Sequence, residues 1–348
     1  MSKIDIKAMI KDLKKNELTE LISVAQEVLS TLFNSSEIRD NVKESRFSKG
    51  YECPKCQCKD VNKNGKSNGR QRYICKRCRT SFDEFTMSPF SNTKLGLDKW
   101  IKYCELMILG LSIRKCAEEV GVGVKTSFYM RHRILDVINL SLKNDKVEGI
   151  VEVDECFIKE SFKGNHSKST TFVMPRNPRK RGKGKNDKKK RGISKEQICI
   201  ETAIDRKGNI LMSAVCNGRI TTNQIINFFD NKICEDATFC VDSHKSYMAI
   251  KDKLNIELKQ VPRGKSMIDS VYHLQHINAL HSSFKRWLMT FNGVSTKYIN
   301  NYLAWFKFLQ LSKKNKKNDR IKDMLVNVAT KDTYVTRATI RNRFIELT

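Results

Sequence analysis

Two apolar, β-rich runs set the terms for what this chain can fold into. GIVEVDECFIK (149–159) and ATFCVDS (237–243) each carry one aspartate, Asp154 and Asp242. Runs of this length, bounded by polar turns, read as strands of a buried sheet. Between them, ICIETAIDRKGNILMSAVC (198–216) reads as a hairpin turning at Asp205–Asn209, where Lys207-Gly208-Asn209 supplies the turn. Residues 222–233 have helical spacing and 247–254 make a second helix. IELKQVP (256–262) makes a last short strand, and VYHLQHINALHSSFKRWL (271–288) is a helix carrying Asn278 and Lys285.

The order β-β-β-α-β-α-β-α is that of a ribonuclease-H-like layer, an antiparallel meander continued by parallel strands. The expected fold class is therefore multidomain α/β. The sheet-bearing domain is expected to be ribonuclease-H-like and to follow two smaller upstream segments. Adjacent strand ends are where such a sheet would bring acids together, although a fold by itself assigns no function.

The polar residues fall as D-x87-D-x35-N-x6-K, from Asp154 and Asp242 to Asn278 and Lys285. Two carboxylates and an amide oxygen are hard donors suited to Mg²⁺ or Mn²⁺, with room left for substrate phosphates. Such a site can work on a phosphodiester with two metal ions. Asn278 is a weaker, neutral ligand, so metal affinity without bound substrate should be low. Glu152 and Glu155 flank Asp154 and are expected on the opposite face of the strand, whereas Glu201 or Asp205 could supply a further acid. Lys285 lies two helical turns after Asn278, placed to hold a phosphate. His273, His276 and His281 are secondary candidates for phosphate contact or proton transfer.

The partner is suggested by charge. The net charge is +28 with pI about 9.7, a field that attracts polyanions, and nucleic acid above all. A segment at 161–195 carries 13 Lys or Arg against one Asp, so it contributes +12; the remaining +16 keeps the chain strongly basic without it. Its RNPRKRGKGKNDKKKRG stretch has too little apolar surface to order itself. It is expected to act as a mobile basic loop on the DNA backbone, with Arg179, Lys180 and Arg181 among its contacts. No apolar run reaches the roughly 18 residues of a membrane span. The first residues have no signal-peptide core, so a cytoplasmic, nucleoid-associated protein with no membrane partner is expected.

Upstream, Cys53-x2-Cys56 and Cys75-x2-Cys78 are separated by 18 residues. This is zinc-ribbon spacing, and four thiolates complete a closed tetrahedral Zn²⁺ site. Without metal the segment is too poor in apolar residues to hold itself together. Cys58 is a less well spaced alternative to Cys56. Residues 94–145 read as three helices of helix–turn–helix type, with Lys125, Thr126 and Arg131 on the third as DNA contacts. The expected division is a helical arm and polar linker at 1–50, with residues 35–50 as the linker, and the ribbon at 51–90. The helical segment follows at 94–145, the catalytic domain with its insertion at 149–310, and a basic segment of unassigned role at 311–348.

With these residues in view the chain resembles bacterial insertion-sequence transposases of the Merlin-related DDE group. The resemblance runs over about residues 50–310 and rests on the ordered set of ribbon, VEVDE, CVDS and His273-x-Gln275-x-Ile277-Asn278-x6-Lys285. Asn278 stands where Glu is common in the group. His281-Ser282 and FNGVSTKYINNYLAWF are similar to a branch that uses Asn there. The resemblance implies metal-dependent cleavage at element ends and transfer of the 3′-hydroxyl into target DNA. Asp154, Asp242, Asn278 and Lys285 would carry the chemistry, and a homodimer or higher synaptic oligomer would hold two ends. Two other readings fit parts of the pattern: a non-catalytic zinc-ribbon DNA-binding regulator, and a ribonuclease-H-like nuclease without strand transfer.

Overall fold

A computed structural model describes residues 13–14, 16–23, 35–67, 69–143, 145–164, 173–175, 192–242, 245–331, 333 and 335–347. The chain divides into two compact units. One takes residues 1–111, 116–123 and 317–334, the other 112–115, 124–316 and 335–348.

The second unit is built on a five-stranded sheet. Its strands are β4 (Ile150–Lys159), β5 (Gln197–Asp205), β6 (Ile210–Asn217), β7 (Thr238–Val241) and β8 (Glu257–Gln260). The order is β6-β5-β4-β7-β8. β4, β5 and β6 form an antiparallel meander, while β7 runs parallel to β4 and β8 parallel to β7. β4 is central and carries buried apolar residues on both sides because both faces are covered. One face packs Val151, Val153, Ala203 and Phe239 under Phe228 and Phe229 of α5 (Thr222–Phe229), with Tyr247 beside them. The other packs Cys156, Ile198 and Ile200 under Leu280 and Phe284 of α8 (Gln275–Met289) and Leu303 and Phe306 of α9 (Ile299–Leu311). The helix expected at 247–254 is two short turns, α6 (Lys245–Met248) and α7 (Lys251–Leu254).

The β5–β6 turn is closed by Asp205, whose carboxylate accepts from the Asn209 backbone (2.9 Å), the Asn209 amide (2.7 Å) and the Glu148 backbone (3.2 Å). Gly208 takes φ +93° there, where a side chain would be strained. Asp205 is thus engaged in the turn.

The insertion between β4 and β5 is rooted firmly. Ser161 and Thr296 exchange hydrogen bonds, and the Lys163 ammonium donates to the carbonyls of Phe291, Asn292 and Gly293 at 2.8–3.0 Å. Arg179, Lys180 and Arg181 lie outside the described residues.

The first unit contains α1 (Ser35–Phe47), the three-stranded ribbon β1 (Val61–Ser67), β2 (Arg70–Cys75) and β3 (Ser81–Phe82), α2 (Leu97–Ile108) and α10 (Lys317–Thr330). The linker expected at 35–50 is a helix instead. Ile38 and Val42, one helical turn apart, are both buried, and so narrow an apolar stripe is lost in a polar composition. Arg46 at its end donates to the carbonyls of Ala329 (2.9 Å) and Thr86 (2.6 Å). The segment after 311 therefore contributes α10 to the same unit as α1. Residues 94–145 form α2, α3 (Ile113–Val120) and α4 (Val124–Ser141), and the division between the units runs through α3. No helix among the described residues is long and apolar enough to cross a membrane.

Candidate metal centre

The parallel register of β4 and β7 pairs Glu152 with Cys240. Asp154 follows two residues later on β4, and Asp242 is the first residue past the end of β7. Neighbouring strands lie about 4.8 Å apart, so the two aspartates are side by side where β7 ends. Burial, the Glu155 carboxylate and then Asp242 push the Asp154 carboxyl up to about 7, with Lys285 opposing them. A carboxyl in this position is short of positive charge, which a divalent cation would supply.

α8 lies over Asp154. His281 Nδ1 is 3.6 Å from Asp154 Oδ2, and burial holds the imidazole down to about 4, so it is neutral at pH 7. Asn278 is exposed one turn before His281, and Lys285 is exposed one turn after it. Residues 278, 281 and 285 follow the helical spacing that lines one side. The flanking Ile277, Leu280 and Phe284 are buried against the sheet and fix the rotation of the helix.

The neighbouring acids are not placed as the sequence suggests. Glu152 shares the face of Asp154, because a strand repeats every two residues; only Glu155 turns away. Glu152 is 1 % exposed. It accepts from the Ile277 backbone N–H (3.0 Å), lies 2.7 Å from His276 Nδ1, and pairs with the Arg206 guanidinium. On the other face Glu155 sits opposite Glu201 across the β4–β5 pair. Glu201 is fully buried and accepts from the Tyr247 hydroxyl at 3.0 Å. Burial, then the Glu155 charge, pushes the Glu201 carboxyl well up. Glu201 is therefore turned to Tyr247 and Glu155, on the face of the sheet away from Asp154. The roles of Glu152 and Arg206 were missed by the sequence reading. The even spacing from Glu152 to Asp154 was the signal for the first; Arg206 left none.

In the ribbon the four thiols converge. Sγ of Cys53 lies 3.5 Å from that of Cys78, and Sγ of Cys56 lies 3.6 Å from that of Cys75. All four sulfurs fall within 4.8 Å of one another. A zinc tetrahedron with bonds of about 2.3 Å has sulfur–sulfur edges of ~3.8 Å, so the cluster is compatible with zinc. The Thr80 hydroxyl and backbone N–H hold Cys78 down to about 6, which readies it as a thiolate. Cys58 lies against this cluster but outside the four.

Of the expected DNA contacts on α4, Lys125 is exposed and Thr126 half-buried. Arg131 is not at the surface. It is 0 % exposed, with its guanidinium 4.8 Å from the Trp305 ring and 5.9 Å from that of Phe291. A helical position facing a neighbouring helix buries whatever side chain stands there, and an arginine stacked on aromatics is accommodated.

Residues 146–310 match the family model described as an ISXO2-like transposase domain. Among curated proteins, the chain is 25 % identical over 264 residues to an uncharacterized protein in transposable element ISH50 of Halobacterium salinarum, covering 75 % of this chain and 86 % of that protein. Among solved structures, the crystal structure of a pre-cleavage Mos1 transpososome aligns with 65 % of this chain and 76 % of that one, at 13 % identity and a TM-score of 0.23, a likeness too low to bear on the fold. Across its sheet and the helices above it, the chain is similar to an insertion-sequence transposase domain.

Proposed function

We propose that the chain is a DNA transposase with a ribonuclease-H-like catalytic domain. In this reading Asp154, Asp242 and Asn278 hold Mg²⁺ or Mn²⁺, and the cysteine quartet holds Zn²⁺. The observation that carries the reading is the placement of Asp154 beside Asp242 under α8, with Asp154 raised to about 7 by burial and by like charge. The transposase-domain match over 146–310 supports it. The donor set fits the metal, since it is two carboxylates and one amide oxygen, all hard ligands. When bound, divalent ions supply charge neutralisation at a phosphodiester and a more acidic water.

The protein's own residues do the remaining work. Lys285, exposed on α8 and electrostatically coupled to Asp154, holds a phosphate beside the scissile bond. Neutral His281 packs against Asp154 and limits how its carboxylate turns. The net charge of +28 gathers DNA, and exposed Lys125 adds a contact from α4. Substrates are element-end and target DNA, and the working form is a homodimer or higher synaptic oligomer that brings two ends together.

The test is a gel assay in which purified protein, Mg²⁺ or Mn²⁺ and labelled end DNA are incubated with a supercoiled plasmid. The reading requires nicked end DNA and plasmid joined to the label. Asp154→Asn and Asp242→Asn should each abolish both products while leaving DNA binding intact.

A further inference from the structure

Glu152 has a part that the metal centre does not explain. It lies two residues before Asp154 on β4, and its carboxylate is 1 % exposed. Oε2 accepts from the backbone N–H of Ile277 at 3.0 Å. That N–H is in the first turn of α8, where backbone donors have no partner inside the helix, and a carboxylate there also meets the positive end of the helix dipole. Oε1 lies 2.7 Å from His276 Nδ1 and 3.3 Å from His273 Nδ1, and it also pairs with Arg206. Arg206 comes from the β5–β6 turn and donates through its other nitrogen to the Val271 carbonyl at 3.1 Å. Three pieces of chain therefore meet at one buried carboxylate: β4, the β5–β6 turn, and the approach to α8.

We infer that Glu152 is a positioning residue that fixes α8 against β4, and thereby sets Asn278 and Lys285 relative to Asp154. The inference rests on the transposase reading of that site. Ile277, the residue clamped, immediately precedes Asn278; Glu152, the clamp, is next but one to Asp154 on the same strand face. A rigid link this close to both partners leaves little freedom between a sheet ligand and a helix ligand. Outer partners that orient metal ligands matter in the same way in well-defined metal sites.

The Glu152, His273 and His276 donor atoms all fall within 4.8 Å of one another, a grouping that could also hold a metal ion. Arg206 already places a cation against Glu152 and reaches His276. The positive charge is thus supplied by the protein, and the cluster works as a latch.

The experiment uses the full chain with a short DNA duplex bound, because metal affinity without substrate is expected to be low. Mn²⁺ binding is read by electron paramagnetic resonance against the same duplex alone, and amide hydrogen exchange is read over residues 274–282. Glu152→Ala should weaken Mn²⁺ binding by about ten- to a hundredfold and speed exchange at the Ile277 and Asn278 amides, with the ribbon unaffected. Glu152→Gln keeps the reach and an acceptor for Ile277 and should recover most of the binding. Glu152→Asp keeps the charge one methylene short and should resemble Glu152→Ala. A purely stabilising role would lower the melting temperature while leaving Mn²⁺ affinity at 20 °C unchanged, and that result overturns the inference. So does the reverse order, with Glu152→Asp near wild type and Glu152→Gln as weak as Glu152→Ala. Zn²⁺ held by the trio after replacement of the four ribbon cysteines, and lost in Glu152→Ala, would make the cluster a metal centre instead. If wild type binds no Mn²⁺, the transposase reading of the site fails first and the positioning role fails with it. If wild type binds Mn²⁺ and Asp154→Asn abolishes it while Glu152→Ala does not, only the positioning role fails.

Discussion

Asp154 on β4 and Asp242, the first residue past the end of the adjacent parallel strand β7, each lie two residues past the Glu152–Cys240 register pair. The sheet alone is enough to bring them together. Residues separated by 87 others in sequence become neighbours because β7 joins the meander on the free side of β4.

The first prediction concerns pH. The folded Asp154 carboxyl is raised from 3.8 to about 7, chiefly by burial and by Glu155. A raised carboxyl stabilises the fold while protonated, fully so below its unfolded value. That contribution is lost as pH rises through about 7. Asp154→Asn imitates the protonated form, so its melting temperature relative to wild type should climb between pH 4 and pH 8 in metal-free buffer. Mg²⁺ should raise the wild-type melting temperature more at pH 8 than at pH 5, and should not do so for Asp154→Asn. Calorimetric scans at several pH values check both. A pH-independent difference would remove the charge-deficit account of the site.

The second concerns the ribbon. Purified protein should carry one Zn²⁺ per chain, measurable by elemental analysis. Ser in place of Cys53, Cys56, Cys75 or Cys78 should lose it and unfold residues 51–86, because metal binding supplies the folding energy of so small a segment. The sheet should persist, visible as protected amides in β4 and β5.

The third concerns Arg131. Its guanidinium is stacked on Trp305 in the interior. Arg131→Ala should therefore cost about 2 kcal/mol or more of stability, the scale of a desolvated cation–π contact. It should leave the preference for end DNA over other DNA unchanged. Lys125→Ala should do the opposite, lowering DNA affinity with little change in melting temperature. Urea unfolding and a binding titration separate the two.

Much of the fold was legible because it is written in short-range patterns. The strands at 149–159 and 198–216 have the buried apolar runs of a central sheet, and the Asp205–Asn209 turn carries its glycine. The cysteine spacing marks the ribbon without any need for the rest of the chain. Other features depend on tertiary context. Ile38 and Val42 are too few to announce a helix in a polar stretch. Arg131 reads as a surface cation until α9 is set against α4. The position of Glu152 could have been read from strand alternation, since it is even-spaced from Asp154. Its partners Ile277 and Arg206 come from distant segments and could not.

The fourth prediction concerns α8. Asn278→Ala should cut activity heavily, by about a hundredfold if the amide oxygen is a ligand whose loss misplaces the metal. Asn278→Glu asks whether the site accepts an acid there, and retained activity would mark the position as a ligand site. Lys285→Ala should slow cleavage and reduce protection of end DNA without changing Mn²⁺ affinity. Paired binding and single-turnover assays distinguish the two residues.

The central claim is that Asp154 and Asp242 together hold the metal that acts on DNA. The most direct measurement is strand transfer by the Asp154→Asn, Asp242→Asn double variant against wild type, with Mn²⁺, labelled end DNA and a target plasmid. The account predicts joined product from wild type and none from the variant, with equal DNA binding by both. Joining by the double variant at the wild-type rate would contradict it, and a wild type inactive on its own end DNA would favour a DNA-binding regulator.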